Sequence, residues 1–330
     1  MPLVTVITPT HNRRALLEET IASVRAQTFT DWEYIIVDDA SSDDTWERIQ
    51  ALGGTDPRIR PIPLEVPAER AGARNTGLAQ ARGAFVLFLD DDDHLQPFAL
   101  AAHLKALQAF PAIIASVAGY TLFDSDGHTR PMPITRRPRA ADTWPAIMLG
   151  WVPVSGQWLF RTETIRELGG WDGAHIPIED HVLLLQFTRL GPVALLPQLA
   201  LRYRVHPGQW RPANLDEMMT RVREAAINAL PPAEQPAAQA LLLARGHYRL
   251  ADQHYWRAEA RPAFLNYFRA VRAAPALLRN PITRGLILPR MLKSLTGRLG
   301  MQVGGRLMNR LRKWSGRSVR STVTITDPRP

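Results

Sequence analysis

Cysteine is absent from this chain of 330 residues. That excludes disulfides, thiolate metal sites and a cysteine nucleophile, and it fits a reducing, cytoplasmic setting. Long apolar runs are missing as well, and no stretch approaches the ~20 residues a membrane span needs. No basic segment with a cleavage site precedes the strand-like run Leu3 to Thr8, so no signal peptide is expected. No Gly-x-Gly-x-x-Gly follows that run, and no Gly-Lys-Ser/Thr occurs, which disfavours a dinucleotide oxidoreductase and a P-loop NTPase. Acidic residues are missing from 261–320, where 14 Lys or Arg stand. The net charge of +9 therefore belongs to one C-terminal segment and predicts an anionic partner for it.

What is present is concentrated at one place. Asp90-Asp91-Asp92-Asp93 closes the apolar run Ala84 to Leu89, which reads as a buried strand. Four adjacent carboxylates repel one another unless a cation sits among them. A divalent metal with oxygen ligands, bridging to phosphates, is the usual remedy. In open α/β sheets such ligands bind beyond the carboxyl ends of the strands. A solvated acidic loop capping the next helix is the simpler alternative.

Two other strand ends carry polar residues: Pro9 to Arg13 after Val4 to Ile7, and Asp38 to Asp43 after Tyr34 to Val37. Helical spacing is read over 14–27, 44–52 (ended by Gly53-Gly54), 70–82 and 97–109, with a short strand over 58–64. This alternation predicts a parallel sheet covered by helices. The middle section is mixed. Strands are expected within 113–123 and 154–160, a turn at 124–127, a Pro- and Arg-rich loop over 130–145, and helices over 162–168 and 181–190. Beyond Pro212 the pattern is helical: 215–230, then a pair over 237–258 and 263–274 resembling one tetratricopeptide unit. No β signal returns until Val323-Thr324-Ile325.

Six motifs in order carry a resemblance: Pro9-Thr10-His11-Asn12-Arg13, Val37 to Asp43, Gly72 to Gly77 around Arg74-Asn75, Phe88 to Asp93 with Pro97, Gly169-Gly170-Trp171-Asp172, and Glu179-Asp180. Together they resemble glycosyltransferase family 2 over about residues 1–210. The resemblance implies an α/β fold of GT-A type, a Rossmann-like mixed sheet flanked by helices. It also implies an inverting reaction using a nucleotide-diphosphate sugar, by expectation UDP-linked, with Mn²⁺ or Mg²⁺. Domain limits follow: a catalytic domain over 1–212, with a nucleotide-binding half to 110 and an acceptor half from 111, and a basic helical extension over 213–330.

Roles follow from the same resemblance. Pro9, Thr10, Asn12 and Arg13 would line the nucleotide pocket, with Asp39 accepting a hydrogen bond from the base. Arg74 and Asn75 would lie along the nucleotide or its phosphates. Asp90 would approach the ribose and Asp92 would bind the metal; the pair Asp91 and Asp93 is the alternative register. Asp180 would be the general base, with Glu179 beside it orienting loops or acceptor. His206 would stand near the diphosphate or metal. Trp171 and Asp172, and more weakly Gln157 and Trp158, would shape the acceptor pocket.

The acceptor implied is a glycan or a lipid-linked sugar, in bacterial surface polysaccharide assembly. Apolar residues at helical spacing over 289–317, interleaved with Arg and Lys and followed by Trp314, suit an interfacial helix on an anionic membrane. A peripheral place on the inner face of the cytoplasmic membrane is therefore expected of the tail, about 281–320. No nucleic-acid partner is expected, because no recognition motif accompanies the charge. Two rival readings remain: a sugar-phosphate nucleotidyltransferase, whose glycine-rich loop is lacking, and a non-catalytic sugar-nucleotide-binding or membrane scaffold protein.

Overall fold

The computed structural model describes residues 2–110, 112–206 and 214–295. Two compact units divide the chain: residues 1–140 with 153–215, and residues 141–152 with 216–330. The segment 141–152 thus clusters with the C-terminal unit, whereas the expected boundary at 212 keeps it with the catalytic part.

In the first unit, the chain runs β1 (Val4–Thr10), α1 (Arg14–Arg25), β2 (Trp32–Asp38), α2 (Thr45–Thr55), β3 (Ile59–Pro63), α3 (Glu69–Gln80), β4 (Phe85–Phe88), β5 (His94–Leu95), α4 (Ala99–Ala109), β6 (Ala115–Phe123), β7 (Thr129–Met132) and β8 (Arg139–Ala141). After α5 (Trp144–Leu149), which belongs to the second unit, it continues as β9 (Trp158–Arg161), α6 (Thr162–Glu167), α7 (Glu179–Phe187) and β10 (Val193–Arg204). Among the described residues, ten strands form one sheet, in the order β3-β2-β1-β4-β9-β6-β10-β5, with β7 on β6 and β8 on β10. The first four neighbours are mutually parallel, while β9 runs antiparallel to both β4 and β6. This is the mixed GT-A sheet, flanked by helices.

Parallel strands covered on both faces carry apolar side chains nearly throughout, and every residue of β1 and β2 is buried. Burying an Ile or Val of this kind contributes about 1.5–3 kcal/mol. Glu33, the second residue of β2, is a buried charge within this apolar setting. It is matched by Arg60 at 2.7 Å and by the Thr5 hydroxyl at 2.8 Å. Because β1 lies between β2 and β4, three consecutive polar strand ends meet at one edge of the sheet.

Several sequence expectations are corrected. Gly53-Gly54 does not end α2, which runs through to Thr55. A Cβ at Gly53 would stand 2.7 Å from Pro61 Cδ, so the glycine there serves the close approach of the chain around β3. Residues 130–145 are not one loop; they hold the end of β7, all of β8 and the start of α5. The twelve-residue strand β10 has no counterpart in the sequence reading. Pro197 interrupts its pattern, and its pairing with β6 shifts register between Leu195 and Leu201.

The second unit is helical in its described residues beyond 215. After α5 come α8 (Leu215–Asn228), α9 (Gln235–Trp256), α10 (Ala260–Ala273), α11 (Ala276–Arg279) and α12 (Pro281–Leu295). The expected helix pair is α9 and α10, joined through buried Ala244, Tyr248, Ala251, Ala263, Tyr267 and Ala270. In α12 the buried face is Ile282, Leu286, Ile287 and Arg290, while Leu292 and Leu295 stay exposed. Arg290 is not available to an external anion, because its guanidinium bonds Asp252 at 2.6 Å and Tyr248 at 2.7 Å. The rest of the tail, including Trp314 and Val323 to Ile325, lies outside the described residues.

Candidate active site

The three strand ends are stitched together by their own side chains. Asp39 N–H donates to the Thr10 carbonyl at 2.8 Å, and Thr10 Oγ1 donates to Asp91 Oδ2 at 2.9 Å. Asn12 accepts from Ser42 N–H at 2.7 Å and Asp43 N–H at 3.2 Å, tying the β1 end to the β2 end. Asn12 and Ala40, at the ends of β1 and β2, hold positive φ of 52° and 57°, and Glu69, the first residue of α3, holds 56°. Such strain gathers at functional sites, where the surroundings over-determine the backbone.

The strand ends border a cavity of about 440 Å³, lined among others by Pro9, Thr10, Arg13, Asp39, Arg74, Asp90, Asp92 and His206. These are eight of the eleven residues expected to meet the nucleotide or metal or to act as base; Asp91, from the alternative register, lines it too. Asn12, Asn75 and Asp180 do not line it. Asn75 Oδ1 accepts from Trp171 N–H at 2.7 Å and its Nδ2 donates to the Trp171 carbonyl at 2.8 Å, so its amide clamps the Gly170-Trp171 turn. Gly170 has a φ of +79°, and a Cβ there would stand 2.4 Å from Asn75 Oδ1, which explains the glycine.

The four consecutive aspartates are sorted by what holds them. Asp93 is fully buried; its Oδ1 accepts from Arg204 N–H at 2.9 Å. Burial, with repulsion from Asp90 and Asp92, pushes its pKa well above the carboxylate range. Asp91 is held by Thr10 and by Arg13 Nη1 at 3.0 Å. Burial pushes it up to about 6; Arg13 opposes this and Asp92 adds to it. Asp90 and Asp92 keep more solvent exposure, at 33% and 14% of the side chain. Asp92 Oδ2 lies 3.0 Å from Arg13 Nη1 and 3.1 Å from His206 Nε2. The Asp92 carboxylate is a hard oxygen donor suited to Mg²⁺ or Mn²⁺, and the His206 imidazole is a borderline nitrogen donor that favours Mn²⁺ of the two.

A second carboxylate pair reaches this edge through arginine. Arg74, on α3, donates from Nη2 to Asp90 Oδ1 at 2.6 Å and from Nη1 to Glu179 Oε1 at 3.1 Å. Since one planar guanidinium makes both bonds, the two carboxylates lie no more than about 8 Å apart. Burial alone would lower the Arg74 pKa, but Asp90 and Glu179 outweigh it and hold it raised. Its guanidinium also sits over the Trp171 ring, 4.3 Å from the centroid. Asp180 follows Glu179 at the start of α7, and its Oδ1 accepts from His181 N–H at 2.7 Å. Burial and the neighbouring Glu179 push Asp180 up to about 6, against the pull of Arg74.

Three lining residues were given no role in the sequence reading: His11, which stands within the first motif, Arg70 and Tyr203. His11 Nδ1 lies 2.7 Å from the Asp39 carbonyl. Arg70 stands one helical turn before Arg74 and pairs with Glu179 at 2.5 Å. The i, i+4 spacing was a usable signal for it. Tyr203 lies on β10, the strand that the sequence pattern concealed. A separate acidic group, Asp124, Asp126 and His128, is an exposed hairpin turn, and Asp124 Oδ1 is engaged by the N–H groups of Asp126 and His128.

A sheet-edge cavity ringed by carboxylates and arginines, on a mixed sheet of this order, defines the GT-A class of architecture. The profile of glycosyl transferase family 2 matches residues 5–169, and the chain belongs to that family. A putative teichuronic acid biosynthesis glycosyltransferase, TuaG of Bacillus subtilis, is 40% identical over 121 residues, 37% of this chain and 48% of the relative. A GalNAc(5)-diNAcBac-PP-undecaprenol beta-1,3-glucosyltransferase of Campylobacter jejuni is 45% identical over 106 residues, 32% of this chain and 34% of the relative. The chain thus spans about half the length of these relatives or less. Among solved structures, S. aureus TarS 1–349 in complex with UDP-GlcNAc matches with a TM-score of 0.60 at 18% identity, over 99% of this chain and 98% of that one. Mannosyltransferase PcManGT from Pyrobaculum calidifontis, in complex with GDP-Man and Mn²⁺, matches with a TM-score of 0.55 at 20% identity, over 90% and 87%.

Proposed function

We propose that this chain is an inverting, metal-dependent glycosyltransferase that moves a sugar from a UDP-linked donor to a glycan or lipid-linked acceptor of the bacterial cell surface. The observation that carries the reading is the Arg74 bridge, which sets the acidic start of α7 beside the Asp90–Asp92 edge of the cavity. The relatives named above add to it, one of them being named for transfer to a polyprenyl-diphosphate-linked glycan.

Asp39, Pro9 and Thr10 would receive the nucleoside, and Asp90 its ribose. Arg13 and Arg70 offer guanidinium groups to the diphosphate oxygens. Mn²⁺ or Mg²⁺, when held by Asp92 and His206, would act as a Lewis acid neutralising charge on the departing diphosphate. Asp180, oriented by the His181 N–H, takes the proton of the acceptor hydroxyl as that oxygen attacks the anomeric carbon. Its raised pKa suits a base that must accept a proton near neutrality.

The reading is tested with a panel of nucleotide-diphosphate sugars, scored by release of nucleoside diphosphate in the presence of Mn²⁺. Turnover with a UDP-sugar, abolished by EDTA, is expected; no release from any donor, with or without metal, would end the proposal. Asp92→Ala should weaken metal-supported donor binding at least about tenfold, as loss of a metal partner does. Titration calorimetry with and without Mn²⁺ checks it.

For the basic tail we propose contact with an anionic membrane surface. Supporting it are the cationic residues of 261–320 other than the paired Arg290, and the exposed Leu292 and Leu295. Among the described residues no helix is long and apolar enough to cross a membrane. Replacing Arg306, Arg310, Arg312 and Lys313 together with Gln should weaken binding to phosphatidylglycerol vesicles, read by co-sedimentation, by about two to three orders of magnitude. Each such cation near an anionic surface contributes about 1 kcal/mol. Unchanged binding by the quadruple variant would remove the tail from this role.

A further inference from the structure

The second unit buries more positive charge than it neutralises. Arg223, on α8, is fully buried, yet its guanidinium meets only carbonyl oxygens, Met219 at 2.9 Å and Ile147 at 3.3 Å, and its Nε has no partner. Arg245, on α9, is 7% exposed; it bonds Asp216 at 2.8 Å and Thr220 Oγ1 at 3.4 Å, and its Nε is likewise unpartnered. Arg249, one turn further along α9, shares that same Asp216. Two arginines therefore share one carboxylate, and Arg223 has none within bonding distance. A Cβ built on Gly150 would stand 3.8 Å from Arg245 Nε and 4.0 Å from Arg223 Nη2, so both guanidinium groups face one small region.

Burial lowers the pKa of Arg223 and of Arg245, and Arg245 adds to the effect at Arg223, which is the signature of cationic charge without sufficient counter-charge. Buried charges are normally paired. Beside them lies an open groove of about 330 Å³ between α8 and α9, lined by Arg245, Arg249, Thr220, Gln253, Leu250 and the exposed Glu224, among others. Gly246 also lines it, and a Cβ there would meet nothing within 4 Å. The groove is thus roomy, donor-rich and backed by excess positive charge.

We propose that this groove is an anion site for a phosphate or diphosphate group, held by Arg245 and Arg249 with Thr220 and Gln253 as neutral donors and the field of Arg223 behind them. The group could be carried by a free phosphate compound or by a lipid headgroup, since both present the same oxygens to a guanidinium. The inference rests on the second unit alone and does not depend on the sugar-transfer reading.

The test uses the full chain and three variants: Gly246→Glu, which sets a carboxylate in the groove, Arg245→Gln, and Arg249→Gln, which spares the buried pair. Inorganic phosphate and pyrophosphate are titrated at constant ionic strength while the melting temperature is followed. A ligand at ten or more times its Kd should raise the melting temperature by about 2–5 °C. Gly246→Glu and Arg249→Gln should bind at least tenfold more weakly and lose that rise, with far-ultraviolet circular dichroism unchanged. In a second arm, co-sedimentation with phosphatidylcholine vesicles is compared with and without phosphatidylglycerol. Binding that needs phosphatidylglycerol, falls in Gly246→Glu and is competed by pyrophosphate assigns a lipid headgroup; a response to soluble anions alone assigns a free phosphate. Equal responses by the parent and both folded variants in both arms, or no response in either arm, would overturn the proposal.

Discussion

Asp180→Asn is expected to lower kcat by about 10²–10⁴-fold, the usual contribution of a positioned general base. Donor affinity should stay within about threefold, because Asp180 does not line the nucleotide cavity and asparagine keeps an acceptor oxygen for the His181 N–H. The active form of Asp180 is the carboxylate, and burial with Glu179 at its side raises its pKa to about 6. Below that value the base is protonated and kcat should fall as pH falls; above it the rate should level off. The acidic limb should vanish in Asp180→Asn, leaving a flat residual rate. Single-turnover rates from pH 5 to 8, set beside donor binding measured separately, check both parts. A variant with parental kcat and an intact acidic limb would remove Asp180 from the reaction.

Arg74→Ala carries the second large effect, and its first consequence is on stability. Arg74 and Glu179 are 4% and 3% exposed, and Asp90 shares the same guanidinium. Removing one partner of a buried pair typically costs about 3–5 kcal/mol, because the other charge stays buried without its counter-ion. Here Arg70 still reaches Glu179, so the loss should fall toward the lower end, about 3 kcal/mol. Arg74→Lys should recover less than half of it, since one ammonium cannot span two carboxylates as a planar fork does. Urea unfolding of the three proteins measures this. Transfer should fall further than donor binding in both variants, because the bridge places α7 and not the nucleotide. A loss of stability below about 1 kcal/mol would show that the network is a surface feature.

How far the site was legible depends on where its information lies in the chain. The ends of β1, β2 and β4 were readable because each buried strand is a continuous apolar run closed by polar residues, a local pattern. Their convergence followed from strand–helix alternation, which places successive parallel strands side by side. β10 was not readable. Pro197 disrupts its periodicity, and its partner β6 lies some 80 residues earlier in the chain, so the pairing is specified by burial against a distant strand. With β10 went Tyr203 and Arg204, and His206 was reached only through the family resemblance. Asn75 shows what sequence adjacency does not convey. It stands next to a cavity residue in sequence, but its amide faces the Trp171 backbone.

Local order along the chain was enough to establish the parallel part of the sheet, the acidic strand end, the helices beyond Pro212 and the uneven charge, because apolar periodicity and charge spacing act over a few residues. Only the folded structure separated the four aspartates. Thr10 and Arg13 claim Asp91, Arg204 claims Asp93, and Asp90 and Asp92 are left nearest the solvent. Only the fold, too, made Arg74, expected along the nucleotide or its phosphates, the link between the residues after β4 and α7. Those outcomes depend on which side chains arrive from far along the chain to satisfy a buried charge, and a buried charge must find its partner wherever the packing provides one.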